Sequence, residues 1–407
     1  MTTHTTIEDA WRRYLDDCEQ MRQRCLRDPM CAKYPRLVAS AHFVLQQTQA
    51  LAYNLVMAPR QASPVFTTHH YFEPLIYTAH QPNPDFVYQV AFVDGARRWR
   101  ITGRRNTAHW VDIQVTRGWW GEPGYDGLGN YDLDEFERGA DGTFEIIASA
   151  DPAPGNWIRL DRDHANNALM VRPAIYDWDR EAPPEFFIEP LDDGPRGPAI
   201  LDEAEIVRRL GLCGEFIRHS IGRWTTKGSP KLLEAAGMNQ FVIHRGDPSR
   251  GGASPLAQYG QAVYELAPDE ALIIETDAPD AAYWGISLGT WWWETTDPTH
   301  HKTSINGHQA VLDSDGKFRA VLTRQDPGVP NWLDPVCWDA GIILLRWYKA
   351  THHPHVVTKK VRYSQLRDHL PADTPVVTAQ ERRDEIDRRR RACRRWYGYE
   401  PRHWPGP

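Results

Sequence analysis

Asp326-Pro327-Gly328-Val329-Pro330-Asn331-Trp332-Leu333 lies between two strand-like runs, Phe318 to Thr323 and Ile342 to Tyr348. Its Pro-Gly-x-Pro turn cannot continue a strand, because proline lacks the N–H that a ladder needs and glycine admits positive φ. An amide able to bond the turn's own backbone follows, and then a large aromatic. The same phrase stands upstream as Asp151-Pro152-Ala153-Pro154-Gly155-Asn156-Trp157. Its recurrence turns a local corner into a reading of the whole chain.

Outward from the two corners the correspondence extends. Thr102 falls on Thr276, Ala108 on Ala282, Trp110 on Trp284 and Trp119 on Trp293, an offset of 174 residues. Asp141-Gly142 falls on Asp315-Gly316, and Phe144 on Phe318. After one inserted residue the corners match, and the first offset returns at Arg172 and Arg346. Identities in this order point to two copies of one unit, about 86–178 and 260–350. Two domain-sized copies are a duplication and not a solenoid.

Inside the first copy, Phe86 to Val93, Arg98 to Thr102, His109 to Thr116 and Thr143 to Ala148 alternate with period two, which predicts antiparallel strands. Gly118 to Gly129 reads as a Gly- and Trp-rich loop. Helices are expected outside the copies. Thr6-Ile7-Glu8-Asp9 forms a capping box for a helix from Ile7 to Arg27, and a wide apolar face predicts a second from Arg36 to Met57, within 1–60. Connecting helices are expected over 200–240. In the 351–407 tail, Thr378 to Glu381 opens a helix with eight Arg between Arg382 and Arg395, read as solvated or as clasping an acidic face. The expected fold is mainly β with flanking helices: two related antiparallel jelly-roll-like units in tandem about a pseudo-two-fold.

Composition narrows the function. A formal charge of −7 argues against nucleic acid as partner, and no apolar run is long enough to span a membrane. The polar start lacks a secretory h-region, and six Cys without CxxC or zinc-finger spacing suit a reducing cytoplasm. Seventeen Trp, several times the usual share, suit β cores and equally an aromatic-lined pocket.

Residues that both copies share are read as fold signatures, so chemistry is sought where the copies differ. His300 to His308 stands opposite the acidic, Gly-rich Asp126 to Asp134. On this reading His301 or His308 is the general acid/base, and Asn306 and Arg324 anchor the substrate. Trp291, Trp292 and Trp293 form an apolar wall, with strand alternation sending Trp291 and Trp293 to one face. No zinc motif, GxSxG, GxGxxG or phosphate loop is present, so neither metal nor organic cofactor is expected. The expected activity is that of a lyase, isomerase or hydrolase acting on a small apolar or aromatic substrate in a Trp-lined cleft near the junction of the units. A non-catalytic binding protein is the alternative. A third reading, a phosphoester hydrolase, would use Arg324, Arg346 and His308. A homo-oligomer is compatible with all three.

Tyr283-Trp284, Ser304-Ile305-Asn306 with Gln309, Asp315-Gly316, the phrase from Asp326 to Leu333, and Gly341 with Arg346-Trp347 together resemble the DUF1214 family, a bacterial domain often found beside DUF1254. The resemblance covers about 239–350. It implies a β-rich, jelly-roll-like architecture, metabolism of small molecules, and for the wider group a phosphatase-type activity, with no catalytic residues to carry over. The first half reads as a diverged copy of the second unit.

Overall fold

A computed structural model of the chain describes residues 5–59, 61–68, 72–194, 201–247, 253–352 and 355–398. The amino-terminal helix α1 (Ile7–Leu26) starts where predicted: Thr6 Oγ1 accepts from the Asp9 N–H at 3.2 Å, and the Asp9 carboxylate returns to Thr6. The short α2 (Pro29–Lys33) leads into α3 (Arg36–Ala52), which widens into a π-helical turn, Tyr53–Met57. Between the β units, α4 (Glu203–His219) ends in a second π-helical turn, Ser220–Thr225, followed by α5 (Gly228–Ala236). Helices α1, α3 and α4 share one buried apolar cluster, joined by Trp119, Trp120 and Trp291 to Trp293 from the β units.

Seventeen strands are present among the described residues. The first eight are β1 (Gln89–Val93), β2 (Trp99–Arg104), β3 (Trp110–Arg117), β4 (Asp126–Asp132), β5 (Thr143–Ser149), β6 (Trp157–Arg159), β7 (Asn167–Ala174) and β8 (Glu185–Pro190). After β9 (Phe241–Arg245) come β10 (Ala257–Glu265), β11 (Glu270–Asp277), β12 (Tyr283–Thr290), β13 (Ser304–Asn306), β14 (Lys317–Leu322), β15 (Trp332–Leu333), β16 (Ala340–Tyr348) and β17 (Val356–Arg362). The first eight pair as β1-β7-β3-β4 and β6-β5-β2-β8, the last eight as β10-β16-β12-β13 and β15-β14-β11-β17. Renumbered from its own first strand, each set has the same order. Even the single parallel pair recurs, β5 with β6 and β14 with β15. Strand β9 extends the second unit's sheet beside β10, and among the described residues its counterpart in the first unit is reduced to the single antiparallel bridge of Thr67 with Val90 of β1. The fold is mainly β, two related two-sheet sandwiches flanked by helices.

The duplication therefore holds, but the pairing register corrects the residue correspondence in two strands. Asp112 lies opposite Arg172, and Gly285 lies opposite Arg346. With Arg172 equivalent to Arg346, Asp112 matches Gly285, an offset of 173 and not 174. The core faces agree: Val111, Ile113 and Val115 fill the first sandwich as Trp284, Ile286 and Leu288 fill the second. Likewise Trp99 and Ile101 correspond to Leu272 and Ile274. A one-residue slip moves a side chain to the opposite face of a sheet. Trp110 and Trp284, matched by identity, thus point to different sides of their strands. Trp110 faces the other unit and is the equivalent of Tyr283. The predicted Gly118 to Gly129 loop is also shorter, since β4 begins at Asp126.

The sandwiches meet through the sheets that contain β7 and β16. Along β7, Leu169 and Val171 point into the unit's own core while Ala168, Met170 and Ala174 point out. Along β16, Ile343, Leu345 and Trp347 point in while Leu344 and Tyr348 point out. Both strands are buried on both faces, which accounts for their near-continuous apolar sequences. Phe86 packs on Tyr283 and Tyr348, with ring centroids 5.1 and 5.5 Å apart, and Trp110 packs on Tyr348 at 5.0 Å.

The Arg-rich helix α6 (Ala379–Trp396) clasps the body. Arg382 is buried and donates to the Asp326 carboxylate at 3.0 Å and to the Val329 carbonyl at 2.6 Å, on the corner that opened the sequence reading. Arg389 donates to Ser304 Oγ at 2.7 Å and lies 4.3 Å over the Trp178 ring. Lys302, buried beneath, pairs with Glu385.

Candidate functional site

A cavity of about 110 Å³ lies where the two units and the inter-unit helices meet. Pairs of equivalent residues line it, one from each unit. Arg172 and Arg346 are one such pair. Anchored on that pair, the ladders make Tyr88 equivalent to Tyr259 (opposite Arg172 and Arg346 respectively, each one strand over) and Met170 to Leu344. The offset of β3 and β12, continued past the strand ends, makes Trp120 equivalent to Trp293. Residues from outside the sandwiches complete it: Phe72, His80 and Gln81 before β1, Trp224 on the π-helical turn, and His244 on β9. Among the described lining residues His244 alone is exposed.

The local backbone is unusual on the helix side. His80, Gln81 and Trp293 adopt φ of 67°, 50° and 62°, the left-handed region that non-glycine residues seldom enter. Specific bonds hold these conformations. The Gln81 N–H donates to the Trp293 carbonyl at 2.8 Å, and Thr295 donates from its N–H to the Thr78 carbonyl and from its hydroxyl to the Pro82 carbonyl. Gln47 of α3 accepts from the Thr78 N–H at 2.8 Å and donates to Glu294 at 2.9 Å. Two glycines make room: a Cβ on Gly228 would stand 2.4 Å from Trp293 Nε1, and one on Gly289 would stand 2.9 Å from the Gln81 side chain.

The two arginines differ in their surroundings. Arg172 donates to the buried carboxylate of Asp112 at 2.8 Å and to the Gln114 side chain. Arg346 donates to Ser287 Oγ at 3.0 Å and to the Gln81 carbonyl at 2.6 Å, both neutral. Burial pushes the Tyr88 and Tyr348 hydroxyls above the ordinary tyrosine range, so both stay protonated. Burial likewise holds the His80 imidazole at about 3, with His219 adding to the effect, so the ring is neutral. Both His80 ring nitrogens, both Gln81 side-chain atoms and Trp224 Nε1 are shielded from solvent without a hydrogen-bond partner among the described residues.

Of the residues expected from sequence to form a site, two reach this cavity, Trp293 and, from the phosphoester reading, Arg346. Strand β12 ends at Thr290, so Trp291 to Trp293 lie in the following turn and do not alternate as strand residues. Trp291 donates to Asp28 at 3.1 Å and Trp292 to the Leu37 carbonyl at 3.0 Å, which pins the helices; Trp293 alone lines the cavity. Asn306 is buried elsewhere, donating to Asp85 at 2.9 Å and to the Tyr176 carbonyl at 3.1 Å. His301 contacts Asp334 at 2.7 Å, Arg324 pairs with Asp339, and the exposed His308 stands 3.7 Å from Asp177. The three side chains have three separate acidic partners, and neither Arg324 nor His308 joins Arg346. Among the described residues no group of three or more His, Cys, Asp or Glu could hold a metal ion, and no helix is long and apolar enough to cross a membrane.

Sequence reasoning aligned Arg172 with Arg346 and gave Arg346 the phosphate-binding role of the third reading, but did not join the two in one site. The available signal was one arginine inside an otherwise apolar strand, present in both copies, since arginine is seldom fully buried without a partner or a task.

The fold and cavity define a tandem β-sandwich protein with a ligand-sized site on the junction of its units. No family model matches the chain, and no curated protein does. A solved structure of an uncharacterized protein from Burkholderia cenocepacia is similar, with 28% identity, a TM-score of 0.78, and coverage of 88% of this chain and 97% of that one. A protein from Vibrio parahaemolyticus aligns at 14% identity and a TM-score of 0.45, over 77% of this chain and 97% of that one.

Proposed function

We propose that the chain binds a small molecule about the size of one aromatic ring in the junction cavity. The observation that carries this is the cavity's composition: aromatic walls and, on the lining residues, a few shielded polar atoms that have no partner among the described residues. Its volume sets the scale, since an apolar protein cavity of about 150 Å³ holds benzene. The residues that built the DUF1214 resemblance support small-molecule metabolism as the setting. A second reading, an enzyme without an organic cofactor, is favoured by the strained backbone at His80 and Gln81, because such strain gathers at catalytic sites. The neutral His80 ring would then be the group placed to accept a proton.

Trp120, Trp224 and Trp293 report on occupancy. Benzyl alcohol, neutral and one ring in size, is expected to change tryptophan emission saturably and to raise the melting temperature. Leu344→Trp, which fills the cavity from β16, should abolish both effects while far-ultraviolet circular dichroism stays native. Absence of both effects in the wild-type protein at millimolar ligand sinks the reading.

A further inference from the structure

The cavity's charge is unbalanced. Among the described residues two arginines line it, both buried, and no carboxylate does. Behind Arg172 stands Asp112, itself buried and also accepting from Asn130 at 3.1 Å. The equivalent position behind Arg346 is Gly285, and the space its missing side chain leaves is met by the Tyr283 hydroxyl and by the Asp85 carboxylate, which is engaged by Tyr283, Asn306 and Trp178. Among the described residues no carboxylate pairs with Arg346. Taking a guanidinium out of water without an opposite charge is costly, and folded proteins meet that cost with a paired anion. Two further donors on lining residues, Gln81 Nε2 and Trp224 Nε1, are shielded and have no partner among the described residues. A site that offers a guanidinium with no directly paired carboxylate, together with spare N–H groups, is complementary to a single negative charge.

We infer that the ligand of the junction cavity is a small aromatic monocarboxylate, its carboxylate held by Arg346 and its ring enclosed by Trp120, Trp293 and Phe72. Arg346 gives the planar, forked donor geometry that a carboxylate accepts. Arg172, neutralised by Asp112, contributes shape and a hydrogen-bond edge without a second free charge. The single net charge selects a monoanion, and the volume selects one ring. The inference rests on the binding proposed above and adds the charge and class of the ligand.

The test compares benzoate with benzyl alcohol by tryptophan fluorescence at fixed ionic strength, in the full chain and two variants. In the wild-type protein benzoate is expected to bind at least tenfold more tightly. Arg346→Gln should cut benzoate affinity tenfold or more and remove the preference for benzoate over benzyl alcohol. Ser287→Asp retains the arginine and places a carboxylate beside it, and should remove the preference for benzoate. Circular dichroism of each variant separates loss of binding from loss of fold, and the second variant carries the test if the first does not fold. Equal affinity of wild type for the two ligands overturns the inference while leaving cavity binding intact. A preference for benzoate that survives in a folded variant overturns it as well. Failure of both ligands to bind the wild-type protein overturns the inference and the binding together.

Discussion

Asn331 closes its corner with three hydrogen bonds, and Asn156 makes the same three in the other unit. Asn331 Nδ2 donates to the carbonyls of Val311 at 2.6 Å and Arg319 at 3.0 Å, and its Oδ1 accepts from the Val311 N–H at 3.0 Å. Asn156 does so with Glu137 and Glu145, each bond 2.9 Å. The following tryptophans repeat as well: Trp332 donates to the Thr323 carbonyl at 2.8 Å and Trp157 to the Ser149 carbonyl at 3.2 Å. The corner joins backbone groups of β14, or β5, to a loop that no ladder reaches.

Removing the amide leaves three backbone groups without partners, and burial decides the penalty. Asn331 is only 6% exposed and its bonds are half-buried, whereas Asn156 is half-buried and its bonds lie exposed to water. Asn331→Ala is expected to destabilise the protein by about 2–4 kcal/mol, and Asn156→Ala by about 1 kcal/mol or less. Urea unfolding at constant m-value measures both. Equal losses would show that water does not replace the bonds at Asn156.

Glu294 is buried among neutral partners, accepting from Gln47, Ser40 and Thr290, and burial raises its carboxyl from 4.5 to about 7. The folded value lies above the unfolded one, so the native state holds the extra proton between the two. Stability therefore falls as pH rises from about 4.5 to 7, by an amount on the order of 3 kcal/mol. Glu294→Gln removes this dependence. Unfolding free energies at pH 5 and pH 8 should differ more for the wild-type protein than for the variant by about that amount. Parallel pH profiles would place the Glu294 carboxyl in a more polar setting than the geometry describes.

Gly228→Ala tests the support of Trp293. The added methyl meets the indole nitrogen, which donates to Ser229 Oγ at 3.2 Å. The ring must shift toward the cavity or out of its bond, and overpacking of this kind costs about 1–3 kcal/mol. Expected outcomes are altered tryptophan emission and at least fivefold weaker binding of benzyl alcohol by fluorescence titration. Unchanged affinity would separate Trp293 from the cavity wall.

The duplication was legible because corners need particular residues: only a few side chains close a turn while packing a core, so Asn-Trp survives in both copies. The register was less legible. Tryptophans invite alignment by identity, yet a ladder matches residues by the face they occupy, and Trp110 and Trp284 occupy opposite faces. The cavity was obscured by the premise that function lies where copies differ. His300 to His308 does differ from its counterpart, but Lys302, Ser304 and Asn306 are spent on α6 and on Asp85. The cavity instead uses what the copies share, Arg172 and Arg346, and then tells them apart by Asp112. Gln81 gave no warning, because the segment that carries it has no periodicity and takes its shape from Gln47, Arg346 and Thr295.

A cavity between two identical chains would have to be symmetric, for any substitution on one side would appear on the other. Joining the halves in one polypeptide lifts that restriction. One arginine can keep its aspartate while the other keeps a bare glycine, and a site that descends from symmetry can tell one end of its guest from the other.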